Sequence, residues 1–340
     1  MSARISYDSV VVTTRIRLAR NFADYPFPNR LKNVVQAREI VRLIAAELKH
    51  TDTFDQYDMN NIPPERAAFL KERNLISRDL IENRRISAAF ISRDESISVM
   101  VNEEDHVREQ YFLREYNLEK VYERISGIDD IISESIPFAY DKELGYLTAC
   151  PTNLGTGLRA SVMLFLPALS RKDLMREIMP SLYELGLTVR GSYGEGSGAE
   201  GELFQISNEL TLGLSEEEIL RSVKDAVEKI VEFELREREQ MLLDDERGLR
   251  DKVLRSYGIL TNCATMEEGE FMQRMADVKL GVATKILHGN MSDLDNLVVA
   301  MRPANINRLN GAPLGEGDRN AYRAEYAGKA LRSMKLFTWR

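Results

Sequence analysis

The sequence predicts an α+β fold in two units. A largely antiparallel sheet flanked by helices occupies residues 1–245, and a helical segment follows over 246–340. Three observations predict it. Strand-like runs in the first two thirds follow one another in hairpin-like succession, the apolar spacing turns helical from Leu214 onward, and 340 residues exceed the usual span of one domain.

Taken in order, Arg30 to Lys49 places Leu31, Val34, Val35, Ile40, Ile44 and Leu48 at helical spacing between Pro28 and the polar run His50-Thr51-Asp52. Ser87–Ile91 and Ser96–Val101 are β-rich and joined through Arg93-Asp94-Glu95, which predicts a hairpin. Leu113 to Ile136 reads as mostly helical. Leu147–Cys150 and Ala160–Leu166 read as neighbouring strands around a polar loop, and Leu187–Arg190 and Leu203–Glu209 as two more around the glycine-rich Gly191 to Gly201. Ser215 then caps a helix whose first turn is Glu216-Glu217-Glu218, with carboxylates where the helix dipole favours them. Its apolar face, Ile219, Leu220, Val223, Val227, Ile230 and Val231, leads to the charged Asp244–Arg247 run, where the domain boundary is placed. Helix continues beyond, with breaks expected at Gly258, Gly281, Gly289 and Pro303 to Pro313. Val278, Leu280, Val282, Ile286, Leu294 and Leu297 exceed what one short bundle hides, so a homodimer through this segment is expected.

A net charge of −8 argues against nucleic-acid binding and suits cationic partners. Cys150 and Cys263 are far apart and lack metal-ligand spacing, so a reducing compartment is expected and a zinc site is not. The N-terminus lacks an apolar h-region, and the apolar stretch Val162–Leu169 is too short to span a bilayer. A cytoplasmic protein is expected.

Four segments carry chemistry. Thr13-Thr14-Arg15-Ile16-Arg17 and Arg190-Gly191-Ser192-Tyr193-Gly194-Glu195 bring arginines; Asn102-Glu103-Glu104-Asp105-His106-Val107-Arg108 places acids after a buried strand. Cys150-Pro151-Thr152-Asn153-Leu154-Gly155-Thr156-Gly157-Leu158-Arg159-Ala160-Ser161 is a polar, glycine-punctuated loop with a thiol, an amide and hydroxyls. No phosphate-binding Gly-x4-Gly-Lys-Ser/Thr loop is present. Arg15, Arg17, Arg108, Arg159 and Arg190 offer planar, permanently charged forks that bind phosphate oxygens bidentately. Gly196-Ser197-Gly198-Ala199-Glu200-Gly201 spells a dinucleotide fingerprint, but Leu203–Ser207 alternates like a strand where a helix would have to start.

In this order, over about the first 215 residues, the four segments resemble the signatures of the ATP:guanido phosphotransferases, or phosphagen kinases. The resemblance implies ATP with Mg2+ as the cofactors and assigns the five arginines to the nucleotide phosphates. The implied ATP-binding positions are Thr13, Thr14, Arg15, Ile16, Arg17, Arg108, Arg159, Ala160, Ser161, Val162, Met163, Arg190, Gly191, Ser192, Tyr193 and Gly194. The glycines at 196–201 would form a flap over the nucleotide. A guanidinium is far more basic than any working pH and its neutral form is about a million-fold rare at neutral pH, so the enzyme must hold the cation and take its proton as the new bond forms. Glu104 and Glu195 match the two guanidinium-contacting glutamates, with Glu104 assigned as base and Glu195 as orienting partner; Cys150 matches the reactive cysteine, which tunes the site electrostatically.

Small-guanidine members of the family carry an N-terminal helical domain ahead of the first motif, whereas here that motif begins at Thr13. The added helical segment after Asp245 is similar to that of the bacterial protein arginine kinases, in which it mediates dimerisation and houses a phosphoarginine pocket with the motif Arg-Asp-x-x-Arg-Ala. This chain has Arg319-Asn320-Ala321-Tyr322-Arg323-Ala324, with Asn320 for the aspartate and Asp318 one residue too early to replace it. Asn74 stands where relatives often have a histidine on the nucleotide side. The resemblance further implies protein substrates with exposed arginines, a zinc-binding activator (McsA-like) and delivery of products to a Clp protease. Two other functions remain open at this point: a kinase of free guanidines such as arginine or creatine, and a catalytically inactive adaptor for arginine-rich or phosphoarginine-tagged proteins.

Overall fold

The computed structural model describes residues 7–191 and 200–336. In chain order its elements are β1 (Val11–Arg20), α1 (Val34–Leu48), β2 (Phe54–Asp58), α2 (Pro64–Glu72), α3 (Arg78–Glu82), β3 (Ala88–Ser92), β4 (Ile97–Val101), β5 (Val107–Leu113), α4 (Leu118–Ser135), β6 (Tyr140–Asp141), β7 (Gly145–Tyr146), β8 (Leu158–Phe165), α5 (Pro167–Arg171), α6 (Leu174–Glu184), β9 (Leu187–Gly191) and β10 (Leu203–Asn208). Five helices follow: α7 (Glu216–Asn262), α8 (Glu268–Ala283), α9 (Met291–Ala300), α10 (Pro303–Asn310) and α11 (Glu316–Ser333).

Eight strands form one sheet in the order β2-β3-β4-β5-β1-β8-β10-β9, and every pairing is antiparallel. Alternation along the strands separates its two faces. On one face Ile16, Leu18, Val99, Leu158, Ala160 and Val162 join the apolar sides of α1, α4 and α7 in the main core. On the other, Ile91 and Met100 pack against α2 and α3, while Phe165 joins the core of the C-terminal helices. The middle of that second face, between these two flanks, belongs to β5, β1, β8 and β10.

Helix α7 begins with Ser215 accepting from Glu218 N while the Glu218 carboxylate accepts from Ser215 N, a reciprocal cap. The helix crosses the expected boundary, with one non-helical residue at Asp245 (φ −155°, ψ 73°). The C-terminal helices return against the sheet unit through charged contacts. Glu72 of α2 accepts from the backbone N–H groups of Ala304 and Asn305 at 2.9 and 2.8 Å, capping α10. Arg302 joins Glu268 at 2.7 Å and Glu200 at 3.4 Å, and Arg171 joins Asp277 at 2.7 Å.

Several expectations need correction. Leu147–Cys150 is irregular chain, and the short hairpin lies earlier, between β6 and β7. Strand β5 precedes α4, so helix starts at Leu118, not Leu113. Gly258 lies inside α7, Gly281 inside α8, and Pro303 opens α10 instead of a loop. Val278, Leu280, Leu294 and Leu297 are buried in the C-terminal core and Val282 and Ile286 pack against it, because these helices fold onto the second half of α7. Four of the six are therefore covered within the chain itself. Among the described residues no helix is long and apolar enough to cross a membrane.

Candidate active site

The arginines come together through strand register. Directly paired residues of an antiparallel sheet share a face. Arg15 pairs with Ser161 on one side and Phe112 on the other, Arg17 pairs with Arg159 and Gln110, and Ala19 pairs with Arg108. One row along, Thr13 pairs with Met163, Met163 with Gln205, and Gln205 with Arg190. Arg15, Arg17, Arg108, Arg159 and Arg190 thus stand on one face of three adjoining strands, β5, β1 and β8, and of β9. Thr14, Ile16, Ala160 and Val162 alternate to the opposite face and are fully buried there, so of the ATP-binding stretch their side chains are turned away. Gly191 ends β9.

The cluster is electrostatically costly as it stands. Burial first, then Arg159 and Arg108, lower Arg15 to about 10. Arg17 is pushed well below the usual arginine range by burial and by Arg15, Arg108 and Arg159, and its Nε finds no hydrogen-bond partner among the described residues. Arg159 donates to Ser207 Oγ at 3.1 Å. Like charges gathered on a sheet face make a site for a polyanion, whose oxygens would relieve both the repulsion and the missing hydrogen bonds.

The acidic loop between β4 and β5 is fastened from behind. Asn102 takes a left-handed φ of 56°, and its amide donates to Ala37 O and Ile86 O at 3.0 and 2.9 Å. Asn83 holds Glu103 O at 2.9 Å. Glu103 is buried against Arg108 at 2.6 Å; Glu104, 38% exposed at its side chain, reaches the same guanidinium at 3.2 Å. Burial raises the Glu104 pKa and Arg108 partly opposes it. Next in line, Asp105 accepts from Asn21 Nδ2 at 2.6 Å and from Ala149 N at 2.7 Å. His106 accepts from Phe22 N at Nδ1 and faces Pro26 O through Nε2, and burial lowers its pKa to about 4, which keeps the ring neutral.

The cysteine loop is held the same way, by single side chains. Asn21 Nδ2 also donates to Leu147 O at 3.0 Å, and Thr211 Oγ1 donates to Thr152 O and Leu154 O at 2.9 and 2.7 Å. Gly155 (φ +107°) lies so close to the next segment that a Cβ there would sit 2.3 Å from Thr211 O. Cys150 Sγ lies 3.0 Å from Thr152 Oγ1. At the loop's far end Arg20 donates to Thr156 O at 2.8 Å, grips Asp129 of α4 at 2.8 Å and stacks 3.7 Å over Tyr146. The result is a cavity of about 150 Å³ lined by Arg17, Glu104, Arg108, Cys150, Thr152, Asn153 and Arg159.

The structure thus brings Glu104, Cys150 and three of the arginines around one cavity. Ser192, Tyr193, Gly194 and Glu195 lie outside the described residues, as does most of the glycine-rich 196–201 segment. Asn74 also has a left-handed φ of 59°, and its carbonyl accepts from Gln110 Nε2. Sequence reasoning missed Arg20, Asn21, Asp105 and Thr211 as determinants of the site; polar residues directly beyond the Arg15–Arg17 strand were the available signal. In the C-terminal unit Arg323 is buried and donates to Met301 O, Met266 O and Asn320 Oδ1, Arg319 donates to Leu314 O, and Ala324 is buried. Among the described residues no group of three His, Cys, Asp or Glu could hold a metal ion.

With this geometry in view, comparisons place the chain among known proteins. Residues 36–237 match the model of the ATP:guanido phosphotransferase C-terminal catalytic domain, and residues 246–337 match that of the protein-arginine kinase McsB C-terminal domain. The chain is 40% identical over 333 residues to a protein-arginine kinase of Caldanaerobacter subterraneus subsp. tengcongensis, covering 96% of this chain and 98% of that one. It is 41% identical over 337 residues to a protein-arginine kinase of Clostridium acetobutylicum, covering 98% and 99%. Among solved structures a lombricine kinase is similar with TM-score 0.60 and 27% identity over 67% of each chain. A duplicated taurocyamine kinase from Schistosoma mansoni with bound transition-state-analogue components gives TM-score 0.56 and 27% identity over 66% of this chain and 32% of that one.

Proposed function

We propose that this chain, which belongs to the ATP:guanido phosphotransferase family and to its protein-arginine kinase branch, transfers the γ-phosphoryl group of ATP to the guanidinium of arginine side chains in proteins. One observation carries the reading: Glu104 opens onto the same small cavity as Arg17, Arg108 and Arg159, so a proton acceptor and a polyphosphate clamp meet at one point. The nucleotide phosphates lie on the arginine face of β5, β1, β8 and β9. Their arrival draws Arg108 from Glu104, which frees the carboxylate for the acceptor. Glu104 then holds the arginine guanidinium in line with the γ-phosphorus. A nitrogen of the acceptor forms the N–P bond while the bond from phosphorus to the β,γ-bridging oxygen breaks, ADP leaves, and the nitrogen's proton passes to Glu104. Burial around Glu104 raises its basicity toward that task. Mg2+ would be carried by the phosphates, where it neutralises charge.

The relatives at about 40% identity are named for arginine in proteins, and this favours a polypeptide acceptor over a free guanidine. Cys150, beside Thr152, would tune the field at the acceptor, and Glu195 would orient it. Passage of the product to a Clp protease, a zinc-binding activator, a homodimer and a phosphoarginine pocket at Arg319–Ala324 belong to the same proposal and rest on the resemblance.

Glu104→Gln tests the assignment. Phosphorylation of a protein substrate falls by roughly 10²–10⁴-fold while nucleotide affinity is kept. Turnover within tenfold of the parent would remove Glu104 from the role of base.

A further inference from the structure

We propose that Arg38, Arg42 and Arg85 form a second anion site, for a phosphoryl group, which ties down the seat of the acidic loop from behind. The three line a cavity of about 140 Å³ between α1 and the β2–β3 edge of the sheet, together with Gln56 and Asp58. This cavity shares no residue with the one around Glu104, so the site stands whether or not the kinase reading holds.

Their charge is uncompensated. Among the described residues none of the three guanidinium groups has a hydrogen bond or an ion pair. Arg38 and Arg42 stand one turn apart on α1, a spacing at which like charges repel. The chain carries a net charge of −8, and exposed arginines elsewhere do find carboxylates: Arg78 pairs with Glu82 and Arg255 with Asp251, both at 2.6 Å. Asp58, the carboxylate in the cavity wall, is committed to its own turn. Its Oδ1 accepts from Asn60 N at 2.9 Å and its Oδ2 from Asn61 Nδ2 at 3.0 Å. A tetrahedral, doubly charged oxyanion presents enough oxygens to engage three planar forks, whereas a carboxylate fills one. Free phosphate and phosphate monoesters share that chemistry.

The location gives the site its bearing on the chemistry. Asn102 Nδ2 donates to Ala37 O at 3.0 Å and to Ile86 O at 2.9 Å, so it joins the segment carrying Arg38 to the segment carrying Arg85. Asn102 is fully buried and opens the acidic loop, two residues before Glu104. An anion held between Arg38, Arg42 and Arg85 bridges the same two segments from the outer side. It adds a second tie across the joint on which the acidic loop rests.

The test maps arginine labelling by phenylglyoxal on the full chain, read by peptide mass spectrometry at constant ionic strength. Inorganic phosphate at millimolar concentration slows labelling of Arg38, Arg42 and Arg85 about fivefold relative to acetate, and leaves exposed Arg255 unchanged. AMP in a parallel arm separates the two sources. Equal protection by AMP assigns the site to phosphate monoesters, protection by phosphate alone assigns it to the free anion, and either upholds it. Arg42→Gln, a change on an exposed helical face, abolishes protection of Arg38 and Arg85, and Arg85→Gln does the same for Arg38 and Arg42. Phosphate also slows hydrogen exchange over residues 102–106 about threefold more in the parent than in Arg42→Gln. No protection, equal protection by acetate, or equal protection of Arg255 overturns the site. So does protection of Arg38 and Arg85 that survives Arg42→Gln. Equal slowing of exchange in parent and variant overturns the tie to the acidic loop.

Discussion

The side chain of Asn21 donates to Asp105 Oδ1 at 2.6 Å and accepts from His106 N at 2.9 Å, so the end of β1 and the acidic loop form one hydrogen-bonded unit. The same amide donates to Leu147 O, which adds the cysteine loop. One buried residue thereby fixes Glu104 and Cys150 relative to the strand that carries Arg15 and Arg17.

Asn21 is therefore a positioning residue. Removing a buried donor of this kind costs about 1–3 kcal/mol. Asn21→Ala is expected to lower kcat by roughly tenfold to a hundredfold while leaving the KM for ATP near the parent value. Asn21→Asp sets a second carboxylate against Asp105, so its activity recovers in part as the pH is lowered, whereas that of Asn21→Ala does not. Pre-steady-state and steady-state kinetics across pH 6–8 read both effects; a loss of kcat that only matches the loss of folded protein by circular dichroism, with the same pH profile in both variants, would speak for a merely destabilised fold.

Glu109 lies on the opposite face of β5, fully buried, with no hydrogen-bond donor reaching either carboxylate oxygen among the described residues. Burial first, and Asp129 next, push its carboxyl well above its ordinary value of 4.5, and Arg20 opposes this only in part. In the unfolded chain the group ionises near 4.5, so above that pH the folded protein holds the extra proton. Its contribution to stability accordingly falls as the pH rises from that value toward the folded pKa. Glu109→Gln, neutral in both states, should match the parent near pH 5 and become the more stable of the two by pH 8, by up to ~1.4 kcal/mol per unit crossed. Denaturant titrations at the two pH values check this; a constant difference between them would mean that Glu109 is ionised in the fold.

Local signals in the sequence reached much of the architecture. The hairpin around Arg93–Glu95 and the Ser215 cap depend on turn and capping chemistry within a few residues, and both are present. Strand β5 was not legible, because Val107–Leu113 carries Arg, Glu and Gln that a central strand tolerates only with distant help: Arg108 from Glu103 and Glu104, Glu109 beside Asp129 and Arg20, and Gln110 from the carbonyls of Asn74 and Leu75. Leu147–Cys150 alternates like a strand, yet its backbone groups are taken by Asn21 and Asp105 side chains, which no local pattern announces. In the C-terminal unit the helical spacing was legible, but the fold onto the second half of α7 that buries Leu280 and Leu294 was not. Of the candidate site, Glu104, Cys150, Arg17, Arg108 and Arg159 meet at one cavity, whereas Asn21 and Thr211, which hold its walls, belong to no motif.

The proposed acceptor is an arginine nitrogen of a protein. Its most direct test is the chemical nature of the phosphoryl group on a model protein after incubation with the full chain, ATP and Mg2+. Intact mass before and after brief acid treatment, with fragmentation to locate the site, reads it in one series. Mass additions of phosphate on arginine that acid removes are expected, as a phosphoramidate requires. Phosphate that survives hot acid on serine, threonine or tyrosine would contradict it.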